Sequence, residues 1–187
     1  MINLSTCQER VLGLLVTAGI PHKIMGGYPR DLYLGEEPKD CDIAVFGTTP
    51  QEVAKLGNEL EACGLIKEAH IGSTSMGGDA RLIAVYGLIA CIDIICWQPN
   101  YRTWLDVAQE FDFNLNMFVM QQMGKCPLLG IDQYEPQFVG DNFGTLEFQR
   151  SNTISELRLA KMQAKARDFH WEVDEDMALP NQETPGV

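Results

Sequence analysis

At 187 residues, 45% of them hydrophobic, the chain has the size of one domain with a small appendage and enough apolar residues for a sizeable core. No apolar run reaches the roughly 18 residues that span a bilayer, and the N-terminus MINLSTCQER lacks the basic and apolar regions of a secretory signal; a soluble, cytoplasmic protein with no membrane partner is expected. Acids outnumber bases 26 to 14, a net charge of −12, which argues against strong autonomous binding to nucleic acid through its phosphates, although net charge does not fix where a local basic strip lies.

Residues 4–18 carry apolar residues at helical spacing and predict a first helix. IPHKIM, 20–25, predicts a short strand that ends at Gly26-Gly27. PRDLYLG then starts a helix with Pro29 in its first turn and closes at Gly35. CDIAVFG, 41–47, predicts a strand, and Thr49-Pro50 with Glu52 reads as the capped start of a helix running through Leu60. Strands follow over 65–97, the last two being either a hairpin about Gly87 or one long bent strand. Residues 102–110 and 112–122 read as short helices, 124–145 as a loop, and 154–169 as a helix packed on the main body. The tail from Glu172 holds five acids, no bases and two prolines, and reads as disordered. The order predicts an α/β protein, a mixed β-sheet with helices on one side and a helical appendage. The division expected is a head at 1–123, a loop and helical neck at 124–171, and an acidic tail at 172–187. Six cysteines without paired spacing read as free thiols.

The chemistry concentrates in GGYPRDLYLGEEPKDCDIAV, residues 26–45. Asp40 and Asp42, two apart in an extended segment, project to one face while Cys41, Ile43 and Val45 point to the other. Two close carboxylates repel, and a hard divalent cation removes the conflict, magnesium above all when phosphate oxygens complete its shell; solvated aspartates at a strand end are the alternative. Asp93 sits in an apolar strand, ACIDIICW, where a lone carboxylate is costly. Its partner is either the Asp40/Asp42 pair, through shared metal, or Arg81 in a strand-end salt bridge. Three carboxylates on adjacent strands suit two metal ions roughly 3.5–4 Å apart and in-line displacement at phosphorus. Gly26-Gly27 between strand and helix exposes backbone amides suited to phosphate, with Arg30 one turn on. The spacing fits neither GxGxxG nor a P-loop.

This stretch resembles the signature GG-x-x-RD-(x)3-G-(x)4-D-x-D of the CCA-adding enzyme and bacterial poly(A) polymerase family, in the polymerase-β-like nucleotidyltransferase superfamily, with Gly26, Gly27, Arg30, Asp31, Gly35, Asp40 and Asp42 all matched. Asp93 resembles the family's third acid. FDFNLNMF, 111–118, is similar to RRDFTINA at Asp112, Phe113 and Asn116. LRLAKMQAKARDF, 157–169, is similar to LRxLRxxRFAARF at Leu157, Arg158 and Phe169, with Lys161 for an arginine. The resemblance covers roughly residues 10–170 and implies a nucleotidyltransferase head with flanking helices and a short helical neck. It departs at Glu110 and Phe111, where the family has arginines, and at Ser155, where the family's EDxxR element has its base-selecting acid.

The resemblance implies a magnesium-dependent transfer of a nucleoside monophosphate from a ribonucleoside triphosphate, ATP or CTP, to a hydroxyl acceptor, an RNA 3′ end such as that of tRNA among the candidates, with release of pyrophosphate. Asp40, Asp42 and Asp93 are the expected catalytic residues and ligands of two magnesium ions. Gly26, Gly27, Arg30, Asp112, Asn116, Arg158 and Lys161 are the expected nucleotide contacts. Weak RNA binding by the isolated chain, and a partner subunit or a homodimer, are the expectations for partners. A non-catalytic nucleotide-binding regulatory module on the same fold is the alternative.

Overall fold

The computed structural model describes residues 4–72, 79–125, 132–149, 154–174 and 177. The elements are α1 (Thr6–Thr17), β1 (His22–Ile24), α2 (Gly27–Tyr33), β2 (Cys41–Val45), α3 (Pro50–Ala62), β3 (Ile66–Ile71), β4 (Leu82–Leu88), β5 (Ile92–Trp97), α4 (Trp104–Ala108), β6 (Phe118–Lys125), β7 (Asp132–Phe138) and α5 (Glu156–Asp168), with one 3-10 turn at Asn114–Asn116. Among the described residues no helix is long and apolar enough to cross a membrane. Five cysteines are unbonded thiols, and Cys126 lies outside the described residues.

Five strands form a mixed sheet in the order β1-β2-β5-β4-β3, parallel only between β2 and β5. The parallel pair requires a long crossover, which α3, β3 and β4 supply. Alternation along the two central strands sorts the core. Ile43 and Val45 of β2 with Ile92, Ile94 and Cys96 of β5 face α1 and α3, burying Val11, Leu15, Val53, Leu56 and Leu60. Each such side chain contributes about 1.5–3 kcal/mol by leaving water. Both helices start from capping boxes, Ser5 with Gln8 and Thr49 with Glu52. The opposite face carries Ala44, Phe46 and Trp97 against Val107 and Ala108 of α4. Helices therefore flank both faces of the sheet rather than one.

The α/β class and most elements agree with the sequence reading, and three segments differ. The strands β4 and β5 are a hairpin, but its turn lies at 89–91, where Ala90 and Cys91 take positive φ of 61° and 54°. Gly87 sits inside β4 opposite Asp93. The helix expected over 112–122 is a 3-10 turn leading into β6, whose first three residues, Phe118, Val119 and Met120, are buried in succession. Part of the loop expected over 124–145 is β7, which pairs only with β6; an edge strand tolerates Pro136, the residue that read as a breaker.

The β6–β7 ribbon joins the sheet through a bridge between Val119 and Met25. A third cluster seats α5 on it, with Leu159, Met162 and Ala166 against Phe113, Phe118, Leu146 and Trp171. β6 runs across the boundary expected at 123. Ordered pairing also continues past 171, since Glu172 donates its N–H to Gly144 and accepts that of Leu146. Residues 178–187 of the expected tail lie outside the described residues.

Candidate active site

In register across the parallel pair, Asp42 of β2 stands opposite Asp93 of β5. Side chains at such positions share a face, so both carboxylates lie on the side away from α1 and α3. Asp40 is exposed and sits just ahead of β2. Burial, then the charges of Asp40 and Asp93, push the Asp42 carboxyl up to about 6, against a smaller opposing pull from Arg30. Asp93 is also raised, by burial first and then by Asp40 and Glu68, with Lys67 opposing. The alternative partner for Asp93 does not engage it: Arg81 binds both oxygens of Asp79, at 2.9 and 2.7 Å, and Glu110 at 3.2 Å.

Gly26 closes the other side of this cluster. Its φ of 90° and ψ of −132° are accessible to glycine alone, and a Cβ there would lie 3.6 Å from Asp42 Oδ2 and 3.9 Å from the Phe111 ring. The Gly26 N–H donates to the Phe118 carbonyl at 2.9 Å, so the turn is pinned to β6 and that amide is committed. Phe111, the departure from the arginine pattern, thus lies beside the glycine turn on the side of Asp42. Glu110 meets Arg81 instead of the site.

Four of the remaining expected contacts, Arg30, Asp112, Asn116 and Arg158, form one polar network. Arg30 is buried, donates from Nε to Asp31 at 2.8 Å and from Nη1 to Asn116 at 2.6 Å. Asn116 donates to Asp112 at 3.2 Å, and Asp112 receives Arg158 Nε and Nη2 at 2.6 and 3.0 Å. Lys161 is exposed on α5, outside this network. Ser155 is the N-cap of α5, accepting the Arg158 N–H at 3.2 Å.

Two participants escaped the sequence reading. Glu68 of β3 is paired with Gly87, which in turn opposes Asp93; a Cβ on Gly87 would come 2.8 Å from Glu68 and 3.4 Å from Asp93. A glycine within an apolar strand was the available signal. Lys165, joined to the matched residue Asp31 at 3.0 Å, was the other, and nothing near it in sequence marks that contact.

Among the described residues no three acidic, histidine or cysteine side chains close on one point as a cage. The donor set nevertheless fits magnesium. Asp42 and Asp93 are hard oxygen donors held side by side, their repulsion offset only weakly by cations, and magnesium commonly takes a few carboxylates and fills its shell with water and phosphate.

No protein-family model matches the chain, and no curated protein does. Solved structures do. A CCA-adding enzyme in complex with CTP superimposes at a TM-score of 0.53 and 16% identity, over 92% of this chain and 40% of that one. A tRNA nucleotidyltransferase complexed with a primer tRNA and an incoming ATP analogue gives 0.55 and 16%, over 88% and 46%. The Thermotoga maritima CCA-adding enzyme complexed with tRNA-CCA gives 0.52 and 18%, over 93% and 41%. The chain shares the fold of these enzymes along most of its own length and spans under half of theirs.

Proposed function

We propose that the chain is a nucleotidyltransferase that moves a nucleoside monophosphate from a ribonucleoside triphosphate, ATP or CTP, to a hydroxyl acceptor. The observation that carries this reading is the in-register pair Asp42 and Asp93 beside the pinned glycine turn, on a fold shared with CCA-adding enzymes. Asp40, Asp42 and Asp93 would hold magnesium, which supplies charge neutralisation at the α-phosphate and at the leaving oxygens. The turn at Gly26 and Gly27 receives the triphosphate, close enough to the carboxylates to set the α-phosphorus before them. Arg30, Asn116, Asp112 and Arg158 hold the turn and α5 in their relative places, and Lys161 faces solvent where a phosphate or base can reach it. Asp93, in register with Asp42 and on the same face of the sheet, takes the proton of the attacking hydroxyl. That oxygen bonds to the α-phosphorus, and the bond to the β-phosphate oxygen breaks to release pyrophosphate.

A non-catalytic nucleotide-binding module is the second reading, favoured by one observation: the uncharged Phe111 ring lies beside the Gly26 turn on the side of Asp42, where the resemblance has an arginine. Pyrophosphate release with magnesium and each ribonucleoside triphosphate decides between them. Transfer is expected in the wild type and lost in Asp42→Ala. Substantial transfer by that variant overturns the carboxylate assignment, and nucleotide binding with no release in the wild type selects the second reading.

A further inference from the structure

The polar network closes into a ring that begins and ends on α5. Lys165 Nζ donates to both oxygens of Asp31, at 3.0 and 3.1 Å. Asp31 holds Arg30 Nε and Nη2 at 2.8 and 2.7 Å, and Arg30 Nη1 reaches Asn116. Asn116 reaches Asp112, and Asp112 returns to Arg158, seven residues before Lys165 on the same helix face. Phe169 at the C-cap of α5 lies under both Lys165 and Arg30, at 5.5 and 5.8 Å from ring centre to cation. A Cβ on Gly27 would lie 3.4 Å from Arg30 Nη2, so the guanidinium is packed against the glycine turn.

We infer that Lys165 is a positioning residue for the nucleotide site: through Asp31 it fixes Arg30 against Gly27, and so ties the shape of the glycine turn to the docking of α5. This rests on the nucleotidyltransferase reading. Asp31 is buried, and without Lys165 its carboxylate would be gripped by Arg30 alone, leaving Asn116 as the other polar anchor of that guanidinium. With Lys165 in place the carboxylate is gripped from two elements, and the side chain of Arg30 has one orientation.

The test compares Lys165→Met with Lys165→Arg. Asp31 keeps Arg30 in either variant, so the fold is expected to survive; if Lys165→Met does not fold, Lys165→Gln takes its place. In pyrophosphate release, Lys165→Met should raise KM for the triphosphate about tenfold with kcat changed less than about twofold, on the scale of one charged hydrogen bond. Lys165→Arg should restore KM to within about twofold of wild type. An unchanged KM in Lys165→Met, or an equal loss in Lys165→Arg, overturns the inference. Hydrogen exchange of the nucleotide-free protein gives a second readout: amides of 27–33 should exchange faster in Lys165→Met and return toward wild type in Lys165→Arg, with α3 unaffected in both. If the wild type releases no pyrophosphate, the enzymatic reading falls by itself, and exchange alone then decides whether Lys165 fixes the turn; unchanged rates across α2 overturn it.

Discussion

Asp42 is half-buried between two other carboxylates, and that placement has a measurable consequence in the metal-free protein. A carboxyl that holds its proton more tightly folded than unfolded stabilises the fold while protonated. For Asp42 that contribution is complete below the ordinary 3.8 and is lost as pH rises through about 6. The full effect is up to about 3 kcal/mol. Asp42→Asn has no such charge to bury, so the stability difference in favour of the variant should grow as pH rises through about 6. Urea unfolding in a chelator at several pH values checks this, and a difference independent of pH would show that Asp42 is not under the strain described. Gly26 is the second residue whose identity the site dictates. Gly26→Ala forces a side chain into a backbone region closed to it and sets a methyl group beside Asp42, so a loss of about 1–3 kcal/mol is expected in thermal unfolding.

At the scale of elements, α5 shows how one residue can be read two ways. Ser155 stands in place of a base-selecting acid in the resemblance, yet its hydroxyl caps α5 by accepting the Arg158 amide. Ser155→Ala should therefore cost about 1 kcal/mol of stability, while Ser155→Asp, also a good cap, should cost little. Arg158 turns Nε and Nη2 to Asp112, and the neutral Ser155 hydroxyl caps the helix where the resemblance has an acid, so no charged acceptor stands there to pair with a base edge. Titration with the four ribonucleoside triphosphates should show preferences below about a hundredfold, since each unmatched polar group discriminates by about 1–3 kcal/mol; a larger preference would mean that another residue reads the base. Capped helices and the alternating strand β2 were legible in the sequence because local chemistry decides them: Thr49, Pro50 and Glu52 form a start signal without help from the rest of the chain. The ribbon β6–β7 was not, because Pro136 and Gly124 read as breakers, and it is the cross-strand pairing of these two neighbouring strands that makes the segment extended. The carboxylates Asp40, Asp42 and Asp93 were legible by spacing and apolar surroundings. Two of the groups around them were not: Glu68 approaches from β3, with the small residue Gly87 its one trace in the sequence, and Lys165 reaches Asp31 from α5 across more than a hundred residues.

For the molecule as a whole, charge and length together bear on RNA. The densest basic stretch is α5, with Arg158, Lys161, Lys165 and Arg167, on a chain of net charge −12. The fold spends much of that charge internally. Arg158 lies in a two-pronged pair with Asp112, and Lys165 holds Asp31. Each pair is local and neutral, and a phosphate backbone would have to displace a carboxylate from either to gain a contact. This chain spans under half the length of the structures that resemble it, and two of those structures hold tRNA. What the present chain lacks in exposed positive charge must then come from elsewhere if RNA is the acceptor, for example from a partner subunit. The isolated protein is expected to bind tRNA no more tightly than about 10 μM near physiological salt, in the range of non-specific association. Few counterions should be released, so log affinity should fall against log salt with a slope shallower than about −2, the value for roughly two phosphate contacts. Filter binding or a fluorescence titration across salt concentrations measures both quantities. Submicromolar affinity persisting at about 200 mM salt would mean that the ion pairs on α5 open to receive the backbone, and Arg158 and Lys165 would then belong to an RNA surface rather than to the ring that holds the glycine turn.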